Sequence, residues 1–183
     1  MDLLAHAVYG ATVCSRTGLA GGSRGAARPW VADWTLWCAI LFGILPDAVS
    51  MGLPFLDWWR AGMQGNFFHD FGGRDVVVYR CAHSLITALA VSGLLRLACK
   101  PLFVPSLAWA LHVVMDALTH GTGKFQTTVF YPLSTWSFDG IRWWEHPGVV
   151  LAYWLFLPVF WVALRVWRRN RRAATSAHRP ISG

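Results

Sequence analysis

The chain has 183 residues, of which 55% are hydrophobic and only 14% are charged, and its mean hydropathy is +0.41. Soluble domains carry about 25% charged residues, and a chain this apolar has ample surface to bury, so the composition argues against a water-soluble globule and against disorder. The formal net charge is +7, but the basic residues gather at the ends of apolar segments and leave no basic face for nucleic acid. The composition therefore predicts a polytopic membrane protein that does not bind nucleic acid.

Five apolar segments are predicted as helices, in chain order 3–14, about 30–45, 81–98, 102–119 and 149–167. Pro46 is expected to end or kink the second helix, and the mixed stretch 55–79 is expected to form an extramembrane excursion. The first segment is short for a membrane span. We predict an all-α fold, a polytopic transmembrane bundle of four or five helices in one domain (1–172), followed by a disordered basic tail (173–183).

The basic residues predict an orientation. Three clusters follow the first, third and fifth segments and hold eleven of the sixteen Lys and Arg residues: Arg16, Arg24 and Arg28; Arg96 and Lys100; Arg165, Arg168, Arg169, Arg171, Arg172 and Arg179. If the segments alternate in direction, eight of the nine acidic residues lie on the opposite side. The positive-inside rule then places the basic loops and the C-terminus in the cytoplasm.

Six ionisable residues lie within or at the ends of these apolar segments, away from the basic clusters: His6, Asp47, His83, His112, Asp116 and His120. Ionisable groups in apolar segments are costly, and are therefore candidates for a functional site. Counted from the basic ends at about 1.5 Å per helical residue, they lie roughly 15–30 Å along their helices. Four segments would thus bring them to one level, which predicts a His/Asp cluster at one membrane face.

The stretch HVVMDALTH is the most specific motif. His112 and Asp116 are four residues apart and share one helix face, while His120 lies about 80° further round. Imidazole and carboxylate groups without paired cysteines suit Zn, Mn or Fe(II). A simple Asp–His ion pair would explain two of the six residues, and His6 or Asp47 alone could be a core histidine or a helix cap. Together they predict a divalent metal site, with Zn expected first and Mn or Fe as alternatives.

Five stretches in order resemble one known family: MDLLAHAVYG, LFGILPDAVSMG, VYRCAHSL, LHVVMDALTHG and FYPLSTWSFDGIRWW. They resemble the membrane-bound metal-dependent hydrolases, bacterial inner-membrane proteins often described as LexA-regulated, with motif similarity to zinc-dependent phospholipase C. The resemblance covers about residues 1–165 and implies these metal ligands: His6, Asp47, His83, His112 and Asp116, with His120 in one subgroup. Val49 departs from the family, because many members carry a second acid there, and Ala82 stands where many have threonine.

The leading functional hypothesis is a multi-pass hydrolase of the bacterial inner membrane that acts on a phosphate ester of a lipid or polyprenyl substrate. Asp116 or Asp47 would bridge metals or accept a proton from water. Arg80, Lys124 and Arg142 would offset the phosphate charge, although each could simply balance a neighbouring carboxylate. A metal-binding membrane protein without hydrolysis, serving in metal transit or as a metal-stapled scaffold, is the alternative. A bis-histidine haem protein would leave both aspartates unexplained.

The aromatic stretch YPLSTWSFDGIRWW, within the loop 121–146, is expected at the outer membrane interface. It would serve there either as an interfacial anchor or as a lid over the site.

Overall fold

The computed structural model describes residues 1–24, 29–65 and 71–177, and the regular structure in these ranges is entirely helical. Six α-helices follow in chain order: α1 (Leu3–Cys14), α2 (Trp34–Arg60), α3 (Arg74–Ala82), α4 (Leu85–Ala98), α5 (Phe103–Thr119) and α6 (Pro147–Ala177). Short 3-10 segments lie between some of them: Leu19–Arg24, which is kinked at Gly22, Trp30–Ala32, Lys100–Leu102 and Trp143–Glu145. The expected all-α class is confirmed.

Three helices are long and apolar enough to cross a membrane: α2, α5 with its preceding turn, and α6. Helices α3 and α4 pass the same test as a pair bent by 57°, which gives up to four candidate spans. Helix α1 has 12 residues. Its length of about 18 Å is well short of the ~30 Å hydrocarbon core of a bilayer. The fold is compatible with a membrane protein. Of the expected four or five spans, the described residues supply four at most, and only when the bent pair is counted as one span.

Pro46 was expected to end or kink the second helix. It does not end the helix, because α2 continues through Pro46 and Pro54 to Arg60. A proline removes one backbone donor, whereas leaving the helix within an apolar segment would strand many polar groups of the backbone. The Ser50 hydroxyl also donates to the Pro46 carbonyl at 2.8 Å. Asp47 therefore lies near the middle of α2 rather than at the end of a helix.

The stretch 55–79 is correspondingly more helical than expected. Its first residues form the last turns of α2, and α3 begins at Arg74. Residues 66–70, which include His69 and Asp70, lie outside the described part of the chain. The tail also differs, since α6 extends to Ala177 and residues 173–177 are helical rather than disordered. Residues 178–183 lie outside the described ranges.

Small and polar side chains are frequent in the interior of the bundle, beside a few large ones such as Tyr79 and Trp109. A Cβ at Gly43 of α2 would lie 2.7 Å from the His6 carbonyl oxygen, and a Cβ at Gly10 of α1 would lie 2.8 Å from the Ala39 carbonyl oxygen. Glycine is therefore required where α1 and α2 cross. Large apolar side chains instead point outward, and along α6 Leu151, Val159 and Val162 are more than half exposed. Close contact through small residues is typical of helices that associate in lipid.

Helix α6 is connected by hydrogen bonds to α1 and to the residues on either side of α1. Three side chains of α6 donate to the first part of the chain: Tyr153 to Asp2 Oδ2 (2.5 Å), Trp161 to Thr12 Oγ1 (3.1 Å) and Arg168 to the Thr17 carbonyl (2.8 Å). The first and last helices are thus held side by side.

The described basic clusters meet at one end of the bundle. Arg16 and Lys100 line one cavity there, and Arg165, Arg168 and Arg169 line a second, together with Thr17, which follows α1. Arg28 and Arg179 lie outside the described residues. Met1, at the opposite end of α1, contacts the His/Asp cluster. The predicted separation of a basic end from a His/Asp end is therefore present, while which end faces the cytoplasm stays a prediction.

Candidate metal centre

Four of the predicted residues form one compact group: Asp47 of α2, His83 between α3 and α4, and His112 and Asp116 of α5. Each offers one ligand atom, and these four atoms all lie within 4.8 Å of one another. His83 Nε2 lies 3.2 Å from Asp47 Oδ1, and His112 Nε2 lies 3.2 Å from Asp116 Oδ2. His83, His112 and Asp116 are buried, and Asp47 is partly exposed. This Asp/His/His/Asp group could hold a metal ion.

Two backbone carbonyls fix the orientation of the imidazoles. His83 Nδ1 lies 3.0 Å from the Tyr79 oxygen, and His112 Nδ1 lies 2.7 Å from the Gly43 oxygen. A carbonyl only accepts, so both Nδ1 atoms donate, and the neutral form of each ring has its lone pair on Nε2. Histidines that bind metals are commonly held in this way by their other ring nitrogen.

The two Nε2 atoms, of His83 and His112, lie only 3.2 Å apart. Two lone pairs at this distance repel each other unless a cation, either a proton or a metal ion, interacts with both. The carboxylates of Asp47 and Asp116 add negative charge around the same point, which also calls for a cation. The donor set and the tautomers therefore fit a divalent metal, and the absence of thiolate fits the hard or borderline metals predicted from the sequence.

The break between α3 and α4 places His83 in the group. Helix α3 ends at Ala82, and the Ser84 hydroxyl accepts from the Ile86 amide to cap α4. The same hydroxyl donates to the Tyr131 carbonyl at 2.6 Å, which attaches the break to the loop 121–146. A straight helix would send the chain elsewhere, so the predicted single helix 81–98 is corrected to two.

His6 and His120 lie on the other side of the Asp116 carboxylate. His6 Nε2 is 2.9 Å from Asp116 Oδ1, His120 Nδ1 is 3.4 Å from it, and the Met1 amine is 2.7 Å from it. The His6 ring also stacks on His112, with centroids 3.7 Å apart. The structure thus brings all six predicted residues together, but the compact group of four ligand atoms does not include His6 or His120.

His120 follows the last residue of α5, and its environment holds it neutral. Burial lowers the pKa of His120 to about 4, which outweighs the raising effect of the Asp116 carboxylate. A neutral imidazole keeps a lone pair, as a metal ligand or hydrogen-bond acceptor requires.

A cavity of about 540 Å³ opens over this cluster. Asp47 and His120 belong to its wall, and aromatic rings from two sides complete it: Tyr79, Phe125, Trp143 and Trp144. Trp143 and Trp144 come from the aromatic stretch expected at the membrane interface, so the end of this loop lies over the site. This position is consistent with the predicted lid.

The three predicted phosphate-binding cations do not line this cavity. Arg80, Lys124 and Arg142 each stand next in sequence to a residue that does. Arg142 Nη1 is 3.2 Å from Glu145 Oε1, and Lys124 Nζ lies 6.0 Å from the centre of the Phe71 ring. Their role toward a substrate stays a prediction.

Sequence reasoning missed the rings of Tyr79 and Phe125 in the cavity wall and the two carbonyls that orient the histidines. A backbone carbonyl leaves no mark on the sequence, so Gly43 and Tyr79 could not be found in this way. Ser84 was a usable signal, because serine is a favoured N-cap and stands directly after His83.

Comparison of the chain with protein-family models, curated proteins and solved structures finds no match.

Proposed function

We propose that the chain is a membrane-embedded, metal-dependent hydrolase that acts on a phosphate ester of a lipid or polyprenyl substrate. One observation carries the proposal: four ligand atoms within 4.8 Å of one another lie beneath a cavity of about 540 Å³ with aromatic walls. A cavity of this size, with polar groups at one point and apolar walls elsewhere, suits a ligand that has one polar centre on an apolar body.

His83 and His112 would hold the metal through Nε2, and Asp47 and Asp116 would hold it through carboxylate oxygens. A bound divalent metal, for which Zn is the first candidate and Mn or Fe the alternatives, would lower the pKa of a water and polarise a phosphoryl oxygen. His6, which contacts Asp116 Oδ1, would keep the carboxylate oriented.

Asp47 is the carboxylate placed to exchange a proton with a substrate. Its side chain is 25% exposed and lines the cavity, whereas the Asp116 side chain is 1% exposed and is enclosed by histidines. We assign proton transfer to Asp47 in addition to its place among the metal ligands, and we assign a holding role alone to Asp116. Trp143 and Trp144 would exclude bulk water and pack against the apolar part of a lipid.

The resemblance to membrane-bound metal-dependent hydrolases supports the same proposal, because its motifs supply each member of the group. We further propose that the site faces the non-cytoplasmic side of the bacterial inner membrane, with the basic end and the C-terminus in the cytoplasm. The cations Arg80, Lys124 and Arg142, which are neighbours of the cavity wall, are proposed to contact the phosphate of the substrate.

One observation favours a second candidate, a membrane protein that a bound metal stabilises without catalysis. The side chains of His83 and His112 are 0% exposed. Structural metal sites are typically closed, whereas catalytic sites keep one position open. The exposed edge of Asp47 is what distinguishes the two candidates.

The first test measures metal in the detergent-purified protein by elemental mass spectrometry, in the wild type, His112→Ala and Asp116→Ala. His146→Ala and Asp57→Ala are matched controls, because both residues are exposed. We expect stoichiometric metal in the wild type and controls, and at least about a tenfold loss in the two site variants. A wild type that binds no metal, even after reconstitution, would refute the proposal.

A second test measures release of phosphate-containing product from phospholipid and polyprenyl phosphate vesicles. Asp47→Asn should lose activity by about 10²-fold or more, as expected for loss of a general base. Metal binding without hydrolysis of either substrate would refute the hydrolase proposal and support the second candidate, in which the metal only stabilises the protein.

A further inference from the structure

The basic end of the bundle encloses a second cavity, of about 670 Å³, between the start of α2 and the end of α6. Arg165, Arg168 and Arg169 line it together with the rings of Trp30 and Trp161. Its volume lies within the range of about 300–1,000 Å³ that is usual for small-molecule sites. It is separate from the metal centre, since it adjoins the residues that follow α1 while the metal centre adjoins Met1.

The arginines form a stripe along one face of α6. Arg165, Arg168, Arg169 and Arg172 follow the spacing i, i+3, i+4 and i+7, which places them on the same side of a helix, and all four line the cavity. Like charges at this spacing repel and destabilise a helix. An anion between them would remove that repulsion.

Two arginines of this stripe, Arg165 and Arg169, have no carboxylate partner within the described residues. The acidic residue at this end is Asp33, and its oxygens accept hydrogen bonds from the amide and hydroxyl groups of Thr17 and Thr35. Within the described ranges, neither Arg165 nor Arg169 takes part in an ion pair. The cavity thus carries positive charge for which an anion would be a partner.

Arg168 makes one wall of the cavity rigid. Only 5% of this residue is exposed, and its guanidinium donates to the carbonyls of Thr17 (2.8 Å), Gly18 and Gly22 (2.9 Å). These bonds fix the turn after α1 against α6. The two exposed arginines, Arg165 and Arg169, are then displayed beside a preformed surface, which lowers the entropic cost of binding.

The chemistry of the walls identifies the anion. Arginine recognises phosphate oxygens through paired N–H donors. Trp30 is 58% exposed, and Leu36 and Trp161 provide apolar surface, so the cavity offers arginines and an apolar wall together. It lies at the ends of two candidate membrane spans, at the level where lipid head groups would be, and basic pockets between such helices bind anionic lipids. We propose that this cavity binds the phosphate of an anionic phospholipid.

Native mass spectrometry of the full-length protein in detergent can test this assignment. The protein would be titrated with phosphatidylglycerol, with phosphatidylcholine, and with phosphatidylglycerol in the presence of inorganic phosphate. The variant is R165Q/R169Q. The matched control is R96Q/R171Q, which removes the same charge from residues that lie over the rings of Phe103 and Trp167 instead.

We expect the wild type and control to bind one phosphatidylglycerol in preference to phosphatidylcholine. We expect R165Q/R169Q to bind it about 25-fold more weakly, roughly fivefold for each arginine. Circular dichroism would verify that the variant keeps the helical content of the wild type. Equal binding by variant and control, or equal binding of the two lipids, would overturn the proposal. Displacement of the lipid by inorganic phosphate at equal concentration would show a site for the free ion instead.

Discussion

Replacing Gly43 with alanine would put a methyl group where α2 crosses α1. The new Cβ would lie 2.7 Å from the carbonyl oxygen of His6 and 3.3 Å from its carbonyl carbon. Both atoms belong to the backbone, so no side-chain rotation can relieve the overlap. The helices would have to separate by roughly 0.6 Å to restore an ordinary C···O contact of about 3.3 Å. That displacement would also strain the 2.7 Å hydrogen bond from His112 Nδ1 to the Gly43 carbonyl.

The magnitude follows from comparison with a second glycine in the same helix. A Cβ at Gly52 would meet nothing within 4 Å. Both substitutions gain a similar helix propensity, up to about 1 kcal/mol, so this contribution cancels between them. The overlap remains, and overpacking of this kind costs about 1–3 kcal/mol. We therefore expect Gly43→Ala to be less stable than Gly52→Ala by about 1–3 kcal/mol.

The free energy of unfolding of both variants can be measured in mixed micelles by titration with sodium dodecyl sulfate, followed by circular dichroism. The content of the proposed metal should also fall in Gly43→Ala, because the Gly43 carbonyl accepts the hydrogen bond that orients His112. Equal stability of the two variants would refute the close approach of α1 and α2 and the geometry of the site that depends on it.

Two further predictions concern single polar groups. Ser84→Ala should destabilise the protein by about 1–2 kcal/mol in the same titration, because it removes the cap of α4. Thr135→Ala, on an exposed loop, is the control and should leave stability unchanged. An equal effect of both substitutions would contradict the capping role of Ser84. Burial would raise the pKa of the Asp33 carboxyl, but hydrogen bonds from Thr35 and Thr17 lower it below its ordinary value. A lowered pKa in the folded state contributes stability that is complete above the ordinary pKa near 4 and is lost as the pH falls through the folded value. The stability advantage of the wild type over Asp33→Asn should thus be full at about pH 6 and shrink below about pH 4; an advantage independent of pH would reject this account.

The His/Asp cluster could be predicted from the sequence because each of its members is costly in an apolar segment. His112 and Asp116 share a face through the period of the helix alone, and the structure gives them a 3.2 Å contact. Tertiary contacts were needed to see that His6 and His120 meet the other oxygen of Asp116. Helix periodicity assigns residues to a face but not to an oxygen atom.

The ends of the helices were harder to predict, because local rules compete there with the apolar surroundings. Pro46 is a strong breaker signal in water, yet α2 continues through it. At Ser84, by contrast, the helix breaks although the apolar run continues in the sequence. The Ser84 hydroxyl caps α4 and donates a hydrogen bond to the Tyr131 carbonyl of the loop. Tyr131 lies more than forty residues from Ser84 in the sequence, so the pattern of residues 81–98 alone cannot predict this contact.

The pairing of α1 with α6 sets an order of events during biosynthesis. The hydrogen bonds from Tyr153 to Asp2 and from Trp161 to Thr12 join residues 151 and 149 positions apart. A ribosome needs roughly 8–30 s to add that many residues at about 5–20 per second. By the end of this interval α1 has α2 and α5 as neighbours but still lacks its partners on α6. Helix α6, which is synthesised after α1–α5, is therefore the one that closes the bundle around α1.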